Sequence, residues 1–167
     1  MQTTGIFQTH THEIPGAKLG DTIPLIPFGD VHYGCPNHAT AIFDDWIKWA
    51  KEKEDAVFLG MGDYFDIASA SERRILHTQD LHESTTDTLD ELYKVKAEEF
   101  VNKILFMKGR IAGLIEGNHY AVLKSNKTTT EYMCEVLGCK YLGVAGFVRL
   151  KFAIDTMRTS IDIFAHH

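Results

Sequence analysis

Three short apolar runs, residues 22–28 (TIPLIPF), 56–60 (AVFLG) and 111–116 (IAGLIE), each break into a polar motif, and helix-patterned segments lie between them. This alternation of strand and helix signals selects an α/β body with a largely parallel early sheet, whose strands open at their C-terminal ends onto one rim. The motifs at 28–34 (FGDVHYG), 60–66 (GMGDYFD) and 117–119 (GNH) therefore converge on that rim. With 167 residues, 44% of them hydrophobic, the chain is long enough for one domain with a real core and too short for two.

The remaining elements follow from periodicity. Residues 38–54 place Ile42, Phe43, Trp46, Ile47 and Ala50 on one face and Asp44, Asp45, Lys48, Lys51 and Glu52 mostly on the other, which predicts an amphipathic helix capped by Asn37. A long helix is expected over 85–108, where Leu89, Leu92, Tyr93, Phe100, Ile104 and Met107 recur at helical spacing before Gly109. Residues 128–137 read as a helix, 144–152 as a half-buried strand, 154–158 as a turn, and 159–165 (TSIDIFA) as a last strand leading into His166 and His167. Pro24 and Pro27 count against a fully paired central strand at 22–28. The first 20 residues lack periodicity and read as an N-terminal arm or an edge element, with the domain over 21–167.

Charge and cysteine usage narrow the function classes. A net charge of −6 supplies no overall basic field for nucleic acid, so a nucleic-acid substrate needs metals or local lysines. Cys35, Cys134 and Cys139 are odd in number and contain no CxxC pair, which points to packing residues in a reducing compartment. The N-terminus lacks the basic start and apolar core of a signal peptide, and no apolar run reaches membrane-spanning length, so a cytoplasmic protein without a membrane partner is expected.

The rim residues have the chemistry of metal ligands. Asp30 and His32, two apart, can aim an oxygen and an imidazole nitrogen at one cation. Asp63 can bridge that cation to a second through its two carboxylate oxygens, holding the ions roughly 3.5 to 4 Å apart, a separation suited to clamping a phosphate. Asn118 offers the second ion a carbonyl oxygen, and His166 or His167 a nitrogen. Such mixed nitrogen and oxygen ligands suit manganese, iron, zinc or nickel better than calcium.

In order, Asp30-Val31-His32, Gly62-Asp63-Tyr64-Phe65-Asp66, Gly117-Asn118-His119 and Ala165-His166-His167 form a D-x-H, G-D-x-x-D, G-N-H and strand-end His series. The series resembles the calcineurin-like metallophosphoesterase superfamily over nearly the whole chain from residue 23. The resemblance implies a β-sandwich core flanked by helices, two divalent ions with manganese the expected species, and phosphoester hydrolysis by direct attack of metal-bound hydroxide. It implies that Asp30 and His32 bind the first ion, that Asp63 bridges, and that Asn118 and His166 bind the second. His119 is then expected to contact phosphate or protonate the leaving oxygen, and Asp66 to orient His119.

The sequence also departs from the family. Tyr120 follows G-N-H where many members carry an acid, and Ile67-Ala68 follow G-D-x-x-D where protein phosphatases carry Arg-Gly, which favours a phosphodiesterase or nuclease-like enzyme acting on nucleotides or nucleic acid. The family's final G-H-x-H is absent from the sequence, so a C-terminally incomplete domain is expected, with weak metal occupancy and recovery by a C-terminal fragment or an oligomeric partner. TSIDIFA is expected to leave an apolar face and a sheet edge uncovered. The alternative is an inert fragment, an interaction module or half of a split enzyme. His77 and His82 flank a polar loop over 71–86 and, like His10 and His12, read as solvated. Arg73, Arg74, Lys124 and Lys127 are either steering groups for an anion or ordinary surface charges, and Trp46 and Trp49 are spaced for helix packing.

Overall fold

A computed structural model of the chain describes residues 8–66, 82–154 and 157–167. Ile67, Ala68, Arg73, Arg74 and His77, most of the 71–86 loop and the tip of the expected turn at 154–158 lie outside the described residues. Among those described, the order is β1 (Gln8–Ile14), β2 (Leu25–Phe28), α1 (Thr40–Lys51), β3 (Val57–Gly60), α2 (Glu83–Ile104), a 3₁₀ turn (Leu105–Met107), β4 (Ile111–Leu114), α3 (Thr129–Leu137), β5 (Ala145–Ile154) and β6 (Met157–His166). The result is an α/β protein with two three-stranded sheets.

The first sheet, in the order β2-β3-β4, is wholly parallel and carries the rim. Its register places Phe28 beside Gly60 and Gly60 beside Leu114, so the three strands end in one row and their loops leave side by side. β2 takes the edge, where Pro27, which lacks an N–H, costs no ladder hydrogen bond. β3 and β4 are buried at every position, as strands covered on both faces must be. On one face Phe58 and Leu114 pack with Phe43 and Ile47 of α1, Phe100 and Ile104 of α2 and Met133 of α3. On the other, Val57, Leu59, Ala112 and Ile115 share an apolar cluster with Ile14, Val148, Leu150 and Ala165 of the second sheet. Burying one such Leu, Val or Phe side chain contributes about 1.5–3 kcal/mol, and these two clusters hold the layers together.

The second sheet, in the order β1-β5-β6, pairs β1 parallel to β5 and β5 antiparallel to β6. Gln8–Ile14 thus forms an edge strand whose burial alternates residue by residue, a periodicity hidden in the sequence because the inward positions are Gln8, His10 and His12. Among the described residues β6 forms the other edge, as expected of TSIDIFA, with Ile161 57% and Phe164 52% exposed on its two opposite faces.

Several local expectations in α1 and α2 need correction. Helix α1 begins at Thr40 after Ala39, with no side-chain cap, so Asn37 does not cap it. Ile42, assigned to the core face, is 73% exposed, and Trp49 is exposed beneath Lys53. Helix α2 starts at Glu83 with the His82 side chain accepting from the Ser84 N–H, which gives His82 a capping role. In α2 the core face is Ala97, Phe100, Val101 and Ile104, whereas Leu92 is exposed and Asp90 is buried. Asp90 tolerates burial because its carboxylate accepts the Lys124 backbone N–H at 2.6 Å and pairs with Lys94 at 2.6 Å.

Candidate metal centre

The loops after β2 and β3 are joined by their backbones. Asp30 N–H donates to Gly62 O at 2.9 Å, and the Val31 and His32 N–H groups both donate to Asp63 O, at 2.9 and 3.1 Å. This pairing holds Asp30, His32 and Asp63 at φ of +55°, +47° and +49°, three of the four described non-glycine residues with positive φ. Each such residue costs roughly 1–2 kcal/mol and persists only where its surroundings determine it, and here all three carry candidate ligands. Beneath them the Tyr64 hydroxyl donates to Ile115 O at 2.8 Å, which fixes the start of the third loop to the second.

The third loop closes on Asp63 through two glycines. A Cβ on Gly117 would lie 1.9 Å from Asp63 Oδ1, and one on Gly62 would lie 2.7 Å from Gly117 Cα. Because both are glycine, the His119 backbone N–H reaches Asp63 Oδ1 at 2.8 Å. The other oxygen, Oδ2, is left between two imidazoles, with His167 Nε2 at 3.3 Å and His32 Nε2 at 3.9 Å. Beyond His32 lies Asp30 Oδ1 at 3.2 Å, and beyond His167 lies Asn118 Oδ1 at 3.2 Å. These donor atoms form a row with Asp63 Oδ2 in its middle.

Asp66 supports the row from behind. One of its oxygens accepts from His32 Nδ1 at 2.8 Å and the other meets His119 Nδ1, so a single carboxylate orients both rings, which stand edge to face 4.6 Å apart. From the sequence, Asp66 is expected to meet His119 alone. With Nδ1–H directed at Asp66, each ring offers the lone pair of Nε2, the arrangement by which a carboxylate prepares a histidine for a metal. His32, Asp63 and His119 each place a ligand atom within 4.8 Å of the others and can together hold a metal ion. The donor set fits a divalent transition metal: imidazole nitrogens, carboxylate oxygens and a local negative charge from Asp30, Asp63 and Asp66.

Every residue of the expected site that is described lies on this rim except His166. Its side chain is exposed and its ring lies parallel to Phe164 at 6.4 Å, whereas His167, one residue on, turns back with Nδ1 2.8 Å from Met61 O. The alternation of β6 decides this, since Ala165 faces the core and His166 must face away. Lys124 and Lys127 are engaged by Asp87 and Glu135. Cys134 packs in the core, and Cys35 borders a cavity beside His32 that the sequence reading missed altogether.

Burial alone would lower the His32 pKa, but the hydrogen bond and charge of Asp66, joined by Asp63 and Asp30, outweigh it and hold the imidazole above its ordinary value of 6.5. The folded state binds this proton more tightly than the unfolded chain. The resulting stability is full below the ordinary histidine value and is lost as pH rises through the raised one. A cation on Nε2 must displace the same proton, so metal affinity moves the other way and grows over that range. Asp66→Asn is expected to shift the His32 titration of the metal-free protein to lower pH, followed by NMR of the ring protons. An unmoved titration would remove Asp66 as its cause.

No family model matches the sequence, and no curated protein or solved structure matches the chain.

Proposed function

We propose that the chain is a metal-dependent phosphoester hydrolase of the calcineurin-like type with a dinuclear centre. Asp30 and His32 would hold one ion, Asn118 and His167 the other, and Asp63 would be shared. The observation that carries this reading is the row of donors centred on Asp63 Oδ2, with an imidazole and an oxygen donor on each side. Asp63 would hold this shared position with its carboxylate anchored to the third loop, since Oδ1 accepts the His119 N–H. Bound there, two divalent ions, manganese first among the candidates, supply Lewis-acid neutralisation of the phosphate.

The chain's own residues supply position and protons. His119 borders the cavity, is braced by Asp66 and is one-fifth exposed, a setting for donating a proton to the leaving oxygen. His119→Ala should lower turnover of a phosphodiester with a poor leaving group about 10²- to 10⁴-fold, with less loss on a good one. Metal content decides between this and a second reading, which the grouping of His32, Asp63 and His119 favours: a mononuclear site with His119 as a ligand. In that case the variant loses its metal. The test of the proposal as a whole is metal stoichiometry together with hydrolysis of an aryl phosphodiester across Mn²⁺, Ni²⁺, Zn²⁺ and Mg²⁺. Weak binding of up to two ions per chain with low turnover is expected; no bound metal and no turnover would leave an interaction module.

A further inference from the structure

The cavity beside the histidine pair has a volume of ≈ 690 Å³ and two unlike walls. Asp30, His32 and His119 make the polar wall, which belongs to the candidate metal centre. Ile42, Phe43 and Trp46 of α1 make the apolar one. Phe43 and Trp46 stack with centroids 5.9 Å apart and planes 13° apart. Ile42, whose spacing assigns it to the core, instead extends into solvent at the cavity's edge with 73% of its surface exposed. The volume falls within the roughly 300–1,000 Å³ of pockets that take small organic ligands. Among the described lining residues there is no Lys or Arg to meet a second phosphate or a carboxylate.

We infer that this cavity seats the organic group of the phosphoester substrate, and that the group is a neutral planar ring, held against the apolar wall of α1 while the phosphate lies at the histidines. The inference rests on the phosphoester-hydrolase reading. Ring-on-ring contact with the half-buried Trp46, which is backed by the buried Phe43 and Phe100, favours an aromatic group over an alkyl chain of equal size. The lack of a basic wall among the described lining residues disfavours polymeric nucleic acid, whose flanking phosphates would find no cation along it. A ring on the ester oxygen, as in an aryl ester, and a ring one sugar away, as in a nucleotide, share this chemistry.

Calorimetric titration of the full chain with saturating Mn²⁺ separates these possibilities, using methylphosphonate, phenylphosphonate and the phosphonate analogue of adenosine 5′-monophosphate as non-hydrolysable probes. At least one ring-bearing probe should bind about tenfold or more tighter than methylphosphonate, and the tighter of the two reports how far the ring lies from phosphorus. Ile42→Asn, at a position exposed enough to leave folding intact, should reduce that ratio to about threefold or less. Equal binding of all three probes, or an unchanged ratio in Ile42→Asn, overturns the ring site and leaves the hydrolase reading standing. Failure of every phosphonate to bind the Mn²⁺-treated protein overturns both.

Discussion

Asp63→Asn should lower metal affinity at least about 100-fold while leaving the fold unchanged. Asn is among the few residues that accept a left-handed backbone, so the φ of +49° is retained. Its amide oxygen can still accept the His119 N–H that Oδ1 accepts now. What the variant loses is the charge and lone pairs of Oδ2, the atom 3.3 Å from His167 Nε2 and 3.9 Å from His32 Nε2. An amide nitrogen at that point would direct N–H groups at both imidazole lone pairs and exclude a cation. Even second-layer partners of a metal site are worth 10- to 100-fold in affinity, so a shared, charged ligand is worth at least the upper figure. Titration calorimetry with Mn²⁺, alongside circular dichroism, measures both halves. Wild-type affinity in a folded variant would remove Asp63 from the centre.

Gly117→Ala is expected to destabilise the protein by roughly 3 kcal/mol and to weaken metal binding with it. Gly117 does not have a positive φ, so conformational freedom is not what it supplies. It supplies space: the added methyl would lie 1.9 Å from Asp63 Oδ1 and 2.4 Å from Asp63 N, and the latter, as backbone, cannot rotate away. The second and third loops must therefore separate, breaking the hydrogen bond from His119 N–H to the Asp63 carboxylate. Overpacking costs typically 1–3 kcal/mol and a hydrogen bond to a charged group about 1.5–3 kcal/mol, partly overlapping here. For a chain of this size the melting temperature should fall roughly 6–12 °C. A melting temperature and Mn²⁺ affinity equal to wild type would show that the loops relax without cost.

The meeting of Asp30, Asp63 and Asn118 follows from where their strands end. Three apolar runs ending in polar motifs required a parallel sheet, and a parallel sheet with level strand ends requires its loops to meet. That Asp30, His32, Asp63, Asn118 and His119 lie together was therefore legible from their spacing relative to the strands. The buried face of β3 was equally legible, because a run of four apolar residues has no polar side to expose.

Other features depended on contacts between distant segments. The choice of His167 over His166 at Asp63 follows from the pleat of β6, which is set by its ten-residue pairing with β5. The second contact of Asp66 follows from the approach of the first loop to the second, and Ile42 is exposed where a cavity opens beside α1. Periodicity assigns a residue to a face of its own element but does not say what covers that face. Sequence by itself determined the elements after residue 20, the parallel run of the first sheet and the rim on which the ligands stand, since these depend on hydrophobic pattern and strand ends. Only the tertiary structure decided which oxygen of Asp63 faces the imidazoles, which terminal histidine meets it and where the apolar wall opens, because each rests on atoms brought within a few ångströms by segments far apart in the chain.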